Sequence, residues 1–151
     1  MRAVLVADDG PLAGLGHRRR LEALAAALGA LDVETTVVAL DAYRPGGDVD
    51  LVVIDSYRER ADDRGRFDAR VVAAIDDLDR DLAVDVVVDP SPGADGSRHR
   101  RARRVLAGAD YAIVDPALVV ARASTSEPRP ADPVRRVVVT LGASASGAEV
   151  G

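Results

Sequence analysis

Residues 1–40 read MRAVLVADDGPLAGLGHRRRLEALAAALGALDVETTVVAL, and this stretch decides the fold. Ala3–Ala7 is a short run, apolar at both odd and even positions. A run of that kind reads as a strand covered on both faces, the habit of parallel sheets. Leu21, Leu24, Ala25 and Leu28 then fall at i, i+3, i+4 and i+7, one apolar stripe along a helix. Gly29 supplies its stop. Val33–Leu40 is a second buried-type run. Strand, helix, strand is a βαβ unit, because parallel neighbours need a long connection, and its crossover should be right-handed.

Working outward, the apolar runs recur at Leu51–Ile54, Val71–Ile75, Val84–Val88, Tyr111–Val114 and Val137–Leu141. The expected fold is therefore α/β, a Rossmann-like three-layer parallel sheet. Ala3–Ala7 is expected at its centre, with the Gly10–His17 loop at its carboxyl edge. Weaker helical patterns cover Arg58–Arg66, Arg98–Arg104 and Pro116–Ala123. Residues 1–123 read as one domain. Residues 124–134 hold three prolines and little apolar content, as an interdomain linker would. Val137–Leu141 then leads into the small-residue loop Gly142–Gly147. A strand followed by a glycine-rich loop is how a second nucleotide-binding domain begins, so residues 135–151 are expected to open a truncated carboxyl-terminal domain.

Composition narrows the function classes. The 151 residues suit one domain of ordinary size, and 48% of them are apolar, enough for a core. The net charge of −5 and the 3% aromatic content argue against nucleic-acid partners, by charge and by lack of stacking surface alike. Mean hydropathy is +0.02, and no apolar run approaches the ~20 residues of a membrane helix. Ala3–Ala7 is too short for a secretory h-region and is followed at once by Asp8 and Asp9. Cysteine is absent, which removes disulfides and thiolate metal sites and fits a reducing compartment. A cytoplasmic protein with neither membrane nor nucleic-acid partner is the expectation.

The segment from Asp8 to Arg20 follows the first strand and opens the first helix. Ligands of open α/β sheets bind at the carboxyl ends of strands. Gly10, Gly14 and Gly16 permit tight turns and close backbone approach, and the first-turn N–H groups of a helix favour an anion. Arg18, Arg19 and Arg20 crowd that same turn, where the helix dipole disfavours cations by ~0.3–1 kcal/mol each. An anionic ligand would account for at least one of them; solvated, screened arginines are the plainer alternative. His17 offers an imidazole, the side chain most often used for general acid–base work, although a capping or merely exposed histidine would sit there too. A dinucleotide fingerprint is incomplete. Gly14 and Gly16 are present and Asp41 ends the second strand, but Arg19 stands where the third glycine allows close helix–strand packing.

Gly14-Leu15-Gly16-His17-Arg18-Arg19-Arg20 resembles the Gly-x-Gly-His-x-x-Arg opening of the nucleotide-sugar hydrolases of pseudaminic acid biosynthesis. These group with spore-coat polysaccharide proteins of the two-Rossmann glycosyltransferase-B (GT-B) architecture. Leu51–Tyr57 is similar to that family's Val-Val-Asp-x-Tyr, and Ile75-Asp76-Asp77-Leu78 to its Ile-Asp-Asp-Leu. Asp85–Asp89 with Gly93-Ala94-Asp95, then Tyr111-Ala112, and finally Arg136–Gly142 match later segments in the same order. The chain departs from the pattern in three places. Only Asp41–Asp50 lie between the second strand and the Leu51–Tyr57 segment, where the family has a helix and a further strand. Asp115-Pro116 replaces an arginine, and Gly142-Ala143-Ser144 replaces Gly-Gly-Ser.

The resemblance implies an amino-terminal GT-B half acting on a UDP-sugar, with His17 as the catalytic acid–base residue. It places Gly14, Gly16, Arg20, Asp55 and Tyr57 at the substrate, Arg20 steadying the loop or an anionic group and Asp55 and Tyr57 facing the sugar. Water attacking an anomeric carbon needs a base, and UDP is already a good leaving group, so neither metal nor cofactor is expected. From the residues alone, Asp55 also reads as a strand-end cap, Tyr57 as a core aromatic and Asp76-Asp77 as a turn. As a metal pair, those two aspartates lack a third ligand nearby in sequence. Arg98–Arg104 reads as a solvated helix face, His99 included. The alternatives to a hydrolase are a glycosyltransferase acceptor domain and a non-catalytic remnant. A remnant would pair with a separate carboxyl-terminal half or self-associate.

Overall fold

The computed structural model describes residues 1–8, 15–58 and 63–124. Six strands form one sheet: β1 (Arg2–Ala7), β2 (Glu34–Ala39), β3 (Leu51–Asp55), β4 (Val71–Ile75), β5 (Val86–Asp89) and β6 (Arg104–Ala107). Their order is β2-β1-β3-β4-β5-β6, and every pairing is parallel. This is the α/β parallel sheet that the apolar runs predict. β1 is interior but not central, lying second of six. The chain winds one way from β1 to β2 and the other way from β3 to β6. The reversal creates a switch point between the carboxyl ends of β1 and β3, where open α/β sheets take their ligands.

Helix α1 (Gly16–Gly29) packs its expected stripe on one sheet face. Leu21 is fully buried, and Leu24, Ala25 and Leu28 lie against Leu5, Ala7, Val53, Ala73 and Ile75. The opposite face carries Val4, Val6, Val52, Ile54, Val72, Ala74 and Val87. Among the described residues it is covered by connecting segments instead of helices, through Leu40, Val49, Phe67, Leu82 and Val84. Phe67, the only phenylalanine, is 1% exposed and tilts against Tyr43 at 5.2 Å. Each such apolar side chain contributes about 1.5–3 kcal/mol when buried.

Three expected elements differ. Arg98–Arg104 is not a helix but a pair of turns that feed β6. Tyr111–Val114 is not a strand: it follows the short 3-10 turn Ala109–Tyr111, and the strand lies earlier, at Arg104–Ala107. Tertiary pairing decides here, because Val105 and Leu106 find partners in β5 while Tyr111 and Val114 stay exposed. Of Arg58–Arg66, only the 3-10 turn Asp63–Arg66 is helical among the described residues. The helix expected at Pro116–Ala123 is present as α2 (Pro116–Ser124), with Leu118, Val119 and Val120 exposed. The 124–134 linker beyond Ser124, the Val137–Leu141 strand and its loop lie outside the described residues. No helix among the described residues is long and apolar enough to cross a membrane.

Candidate functional site

The strand register builds the site. Ala7 pairs with Asp55, Asp55 with Ile75, and Ile75 with Val88. One residue further along this register, Asp8, Ser56, Asp76 and Asp89 form one row across the carboxyl edge. Side chains alternate along a strand, so this row belongs to the face opposite α1, and Asp55, one residue earlier, belongs to the α1 face. All four aspartates are buried. Buried carboxylates are costly unless paired, and here each has a basic partner.

On the α1 face, Asp55 is fully buried and receives two side chains from the first turn of α1. His17 donates from Nδ1 to Oδ1 at 2.6 Å. Arg20 donates from Nε to Oδ2 at 2.6 Å and from Nη2 to Oδ1 at 2.7 Å, a two-point clamp. Burial, the largest influence on Arg20, works against its charge. The Asp55 hydrogen bond and the Asp55 and Asp77 charges outweigh it, and the pKa ends raised. With Nδ1 protonated towards Asp55, Nε2 keeps its lone pair, and no hydrogen bond among the described residues takes it. The Tyr57 ring packs edge-on against the His17 imidazole, centroids 4.5 Å apart. The Tyr57 hydroxyl donates to Asp77 Oδ2 at 3.2 Å. Burial first, then the Asp77 charge, raise the Tyr57 pKa.

On the other face, Asp8 accepts from Ser56 Oγ at 3.1 Å and from Arg58 Nε at 3.0 Å. Asp76 caps a turn, accepting the Leu78 and Arg80 N–H groups at 3.1 and 2.8 Å and Arg80 Nε at 2.7 Å. Arg80 also reaches the Ser56 carbonyl at 2.6 Å. Beyond it, His99 is 1% exposed and lies between Asp89 and Asp76. Its Nε2 stands 3.2 Å from Asp89 Oδ2, and its Nδ1 is 3.7 Å from Asp76 Oδ2 with no hydrogen-bond partner among the described residues.

The structure thus gathers His17, Arg20, Asp55 and Tyr57 at one edge. Gly16 lies in the first turn of α1, where an added Cβ meets nothing within 4 Å among the described residues. Gly14 lies outside the described residues. Arg20 reaches inward to Asp55, not out towards an anion. Arg18 and Arg19 pair with Glu22 at 3.1 and 3.5 Å on the surface, the plainer alternative for those two. Asp55 is the junction of two basic side chains, more than a strand-end cap, whereas Asp76 is the turn residue that its plainer reading predicts. His99 is the clearest correction. It is buried on a turn after β5, not solvated on a helix, because the Gly96–His99 turn carries it inward. The turn residues Gly93 and Gly96 were its only sequence signal. No protein-family model matches the chain, and comparison with curated proteins gives no significant match.

Proposed function

We propose that the chain is a nucleotide-sugar hydrolase-type domain, the sugar-side half of a GT-B architecture, acting in the biosynthesis of a surface polysaccharide or nonulosonic acid. The carrying observation is the buried His17–Asp55 pair at the switch point, with Nε2 left without a partner among the described residues. Asp55 fixes the tautomer and ring orientation, the role of the carboxylate in other histidine-based sites. Arg20 holds Asp55 and so acts as a positioning residue. In the proposed step, water attacks the anomeric carbon and gives a proton to His17 Nε2. The bond to UDP breaks, and UDP leaves with its electron pair. Tyr57 would pack against the sugar, and Gly16 would admit it.

In the resembled architecture the carboxyl-terminal domain holds the nucleotide. The reaction therefore needs both halves, because the anomeric carbon must be held within reach of the base. The test is UDP release from UDP-sugars by the 151-residue chain with and without a supplied carboxyl-terminal half. Turnover is expected only with both. His17→Ala should lower it by about 10²–10⁴-fold, the usual worth of a general base. Full activity of His17→Ala would refute the assignment.

A second reading, a non-catalytic interaction domain, is favoured by a different observation. Val86, Val88, Leu106, Tyr111 and Ile113 line an apolar groove on the α1 side of the sheet. A stable complex with a second half in which His17→Ala changed nothing would support it.

A further inference from the structure

We propose that the cavity between the β4 and β5 ends binds a first-row divalent cation through His99, Asp89 and Asp79. The cavity, of about 420 Å³, is lined by the Ser91–His99 loop on one side and by Asp77 and Asp79 on the other. Gly96 holds the loop close. Its φ is +77°, and an added Cβ would stand 3.0 Å from Val105 Cγ1. Asp77, Asp79, Asp89 and Asp95 face it against one arginine, Arg98. Four carboxylates against one guanidinium repel an anion and attract a cation.

His99 makes the case specific. A neutral imidazole has one N–H and one lone pair. Placed between Asp89 and Asp76, the His99 ring meets a carboxylate oxygen at each nitrogen, 3.2 Å from Nε2 and 3.7 Å from Nδ1. A cation held by Nε2 and by Asp89 Oδ2, now 3.2 Å apart, would take a bond from each. Nδ1–H would then face Asp76 Oδ2, giving a partner to an atom that has none. Metal-bound histidines characteristically donate their other N–H to a carboxylate in this way.

Asp79 supplies the third ligand. One ligand atom from each of Asp79, Asp89 and His99 lies within 4.8 Å of the other two. Ligand bonds of ~2.0–2.2 Å require a slight contraction, and exposed Asp79 can provide it. Asp79 is ion-paired with Arg98 at the rim, so an incoming cation competes with that guanidinium. The buried Asp77 Oδ1 has no hydrogen-bond partner and would accept from water on the ion. One imidazole with carboxylates suits Mn²⁺, Co²⁺ or Zn²⁺ better than Mg²⁺ or Ca²⁺, which favour all-oxygen shells. This site does not rest on the nucleotide-sugar reading.

The experiment titrates chelator-treated protein with cobalt chloride, read by visible d–d absorption, and with zinc chloride, read by calorimetry. One saturable equivalent is expected. Asp79→Asn and His99→Gln should each weaken binding by at least about tenfold, since even outer partners are worth ~10–100-fold. Arg98→Ala should tighten it, and His17→Ala should leave it unchanged. Asp79 is exposed, so D79N tests the site even where H99Q fails to fold. The absence of saturable binding at millimolar metal overturns the proposal. So does binding by folded D79N that equals the wild type.

Discussion

The molecule contains two buried histidine–aspartate pairs at one sheet edge, and they are built differently. His17 meets Asp55 at 2.6 Å, and the same carboxylate is clamped by Arg20. His99 meets Asp89 at 3.2 Å, and among the described residues no arginine pairs with Asp89 and the far nitrogen has no hydrogen-bond partner. In the first pair every carboxylate oxygen has a donor, and the imidazole is fixed with one lone pair to spare. In the second, carboxylates stand on both sides of the ring. The first arrangement is complete as protein and suits a base that keeps its orientation. The second is short of positive charge and suits a cation. The difference comes from the elements that feed them: α1 brings an arginine one turn after its histidine, whereas the β5–β6 loop keeps Arg98 at the cavity rim on Asp79 and leaves Arg100 and Arg101 exposed.

Removing the carboxylate of the first pair should have the largest effect. Asp55→Ala strands Arg20 and His17, and loss of one partner of a buried ion pair costs about 3–5 kcal/mol. Urea unfolding should show that loss as a lower midpoint with an unchanged slope. A loss below ~1 kcal/mol would mean that the clamp is not the completed unit described above.

In the second pair, Asp89→Asn measured with chelator present should cost less, about 1–3 kcal/mol, the range for a disturbed buried hydrogen bond. Asp89 also predicts a pH dependence. Burial pushes its pKa up, but the Ser91 hydrogen bonds and His99 outweigh burial, and the value ends below the ordinary carboxylate range. A depressed folded-state pKa contributes stability above the unfolded value of ~3.9, and that stability is lost as pH falls through the folded value. The acid limb of a stability-against-pH curve should therefore be shallower in Asp89→Asn than in the wild type below about pH 4. An identical limb would remove Asp89 from the account.

The smallest effect is expected where two arginines neighbour the first pair without joining it. Arg18→Ala and Arg19→Ala break exposed pairs with Glu22, so each should change stability by no more than about 0.5 kcal/mol. A larger effect from either, seen in the same urea curves, would show that the first turn of α1 acts as a charged unit, not through Arg20 alone.

The residues of the first pair were legible in the sequence, though not their pairing, since Asp55 is expected to face the sugar and instead lies buried against His17 and Arg20; the second pair was not legible at all. His17 and Arg20 stand at a helix start beside a glycine-rich loop, and Asp55 ends a clean apolar run. Each position has a local signature, and the parallel fold brings them together. His99 has none: it lies in Ser-Arg-His-Arg-Arg, whose charge reads as a solvated face, and its burial comes from backbone turns that leave no periodic trace. β6 was missed for a related reason. An edge strand of four residues with three apolar side chains, Val105, Leu106 and the small Ala107, is too short to outweigh its arginine-rich flank. The longer runs that became β1 to β5 carried their own signal.

The alternation of faces along β3 has a consequence for how this edge can evolve. Asp55 serves α1 and its neighbour Ser56 serves Asp8. A one-residue insertion or deletion inside the strand would turn every following side chain to the other face. It would offer His17 and Arg20 a different residue in place of the carboxylate and push a charge among the groups around Asp8. The lengths of the connections around this edge can change without that cost. Strand β3 itself is held to a fixed reading frame, because its two terminal residues answer to opposite sides of the sheet.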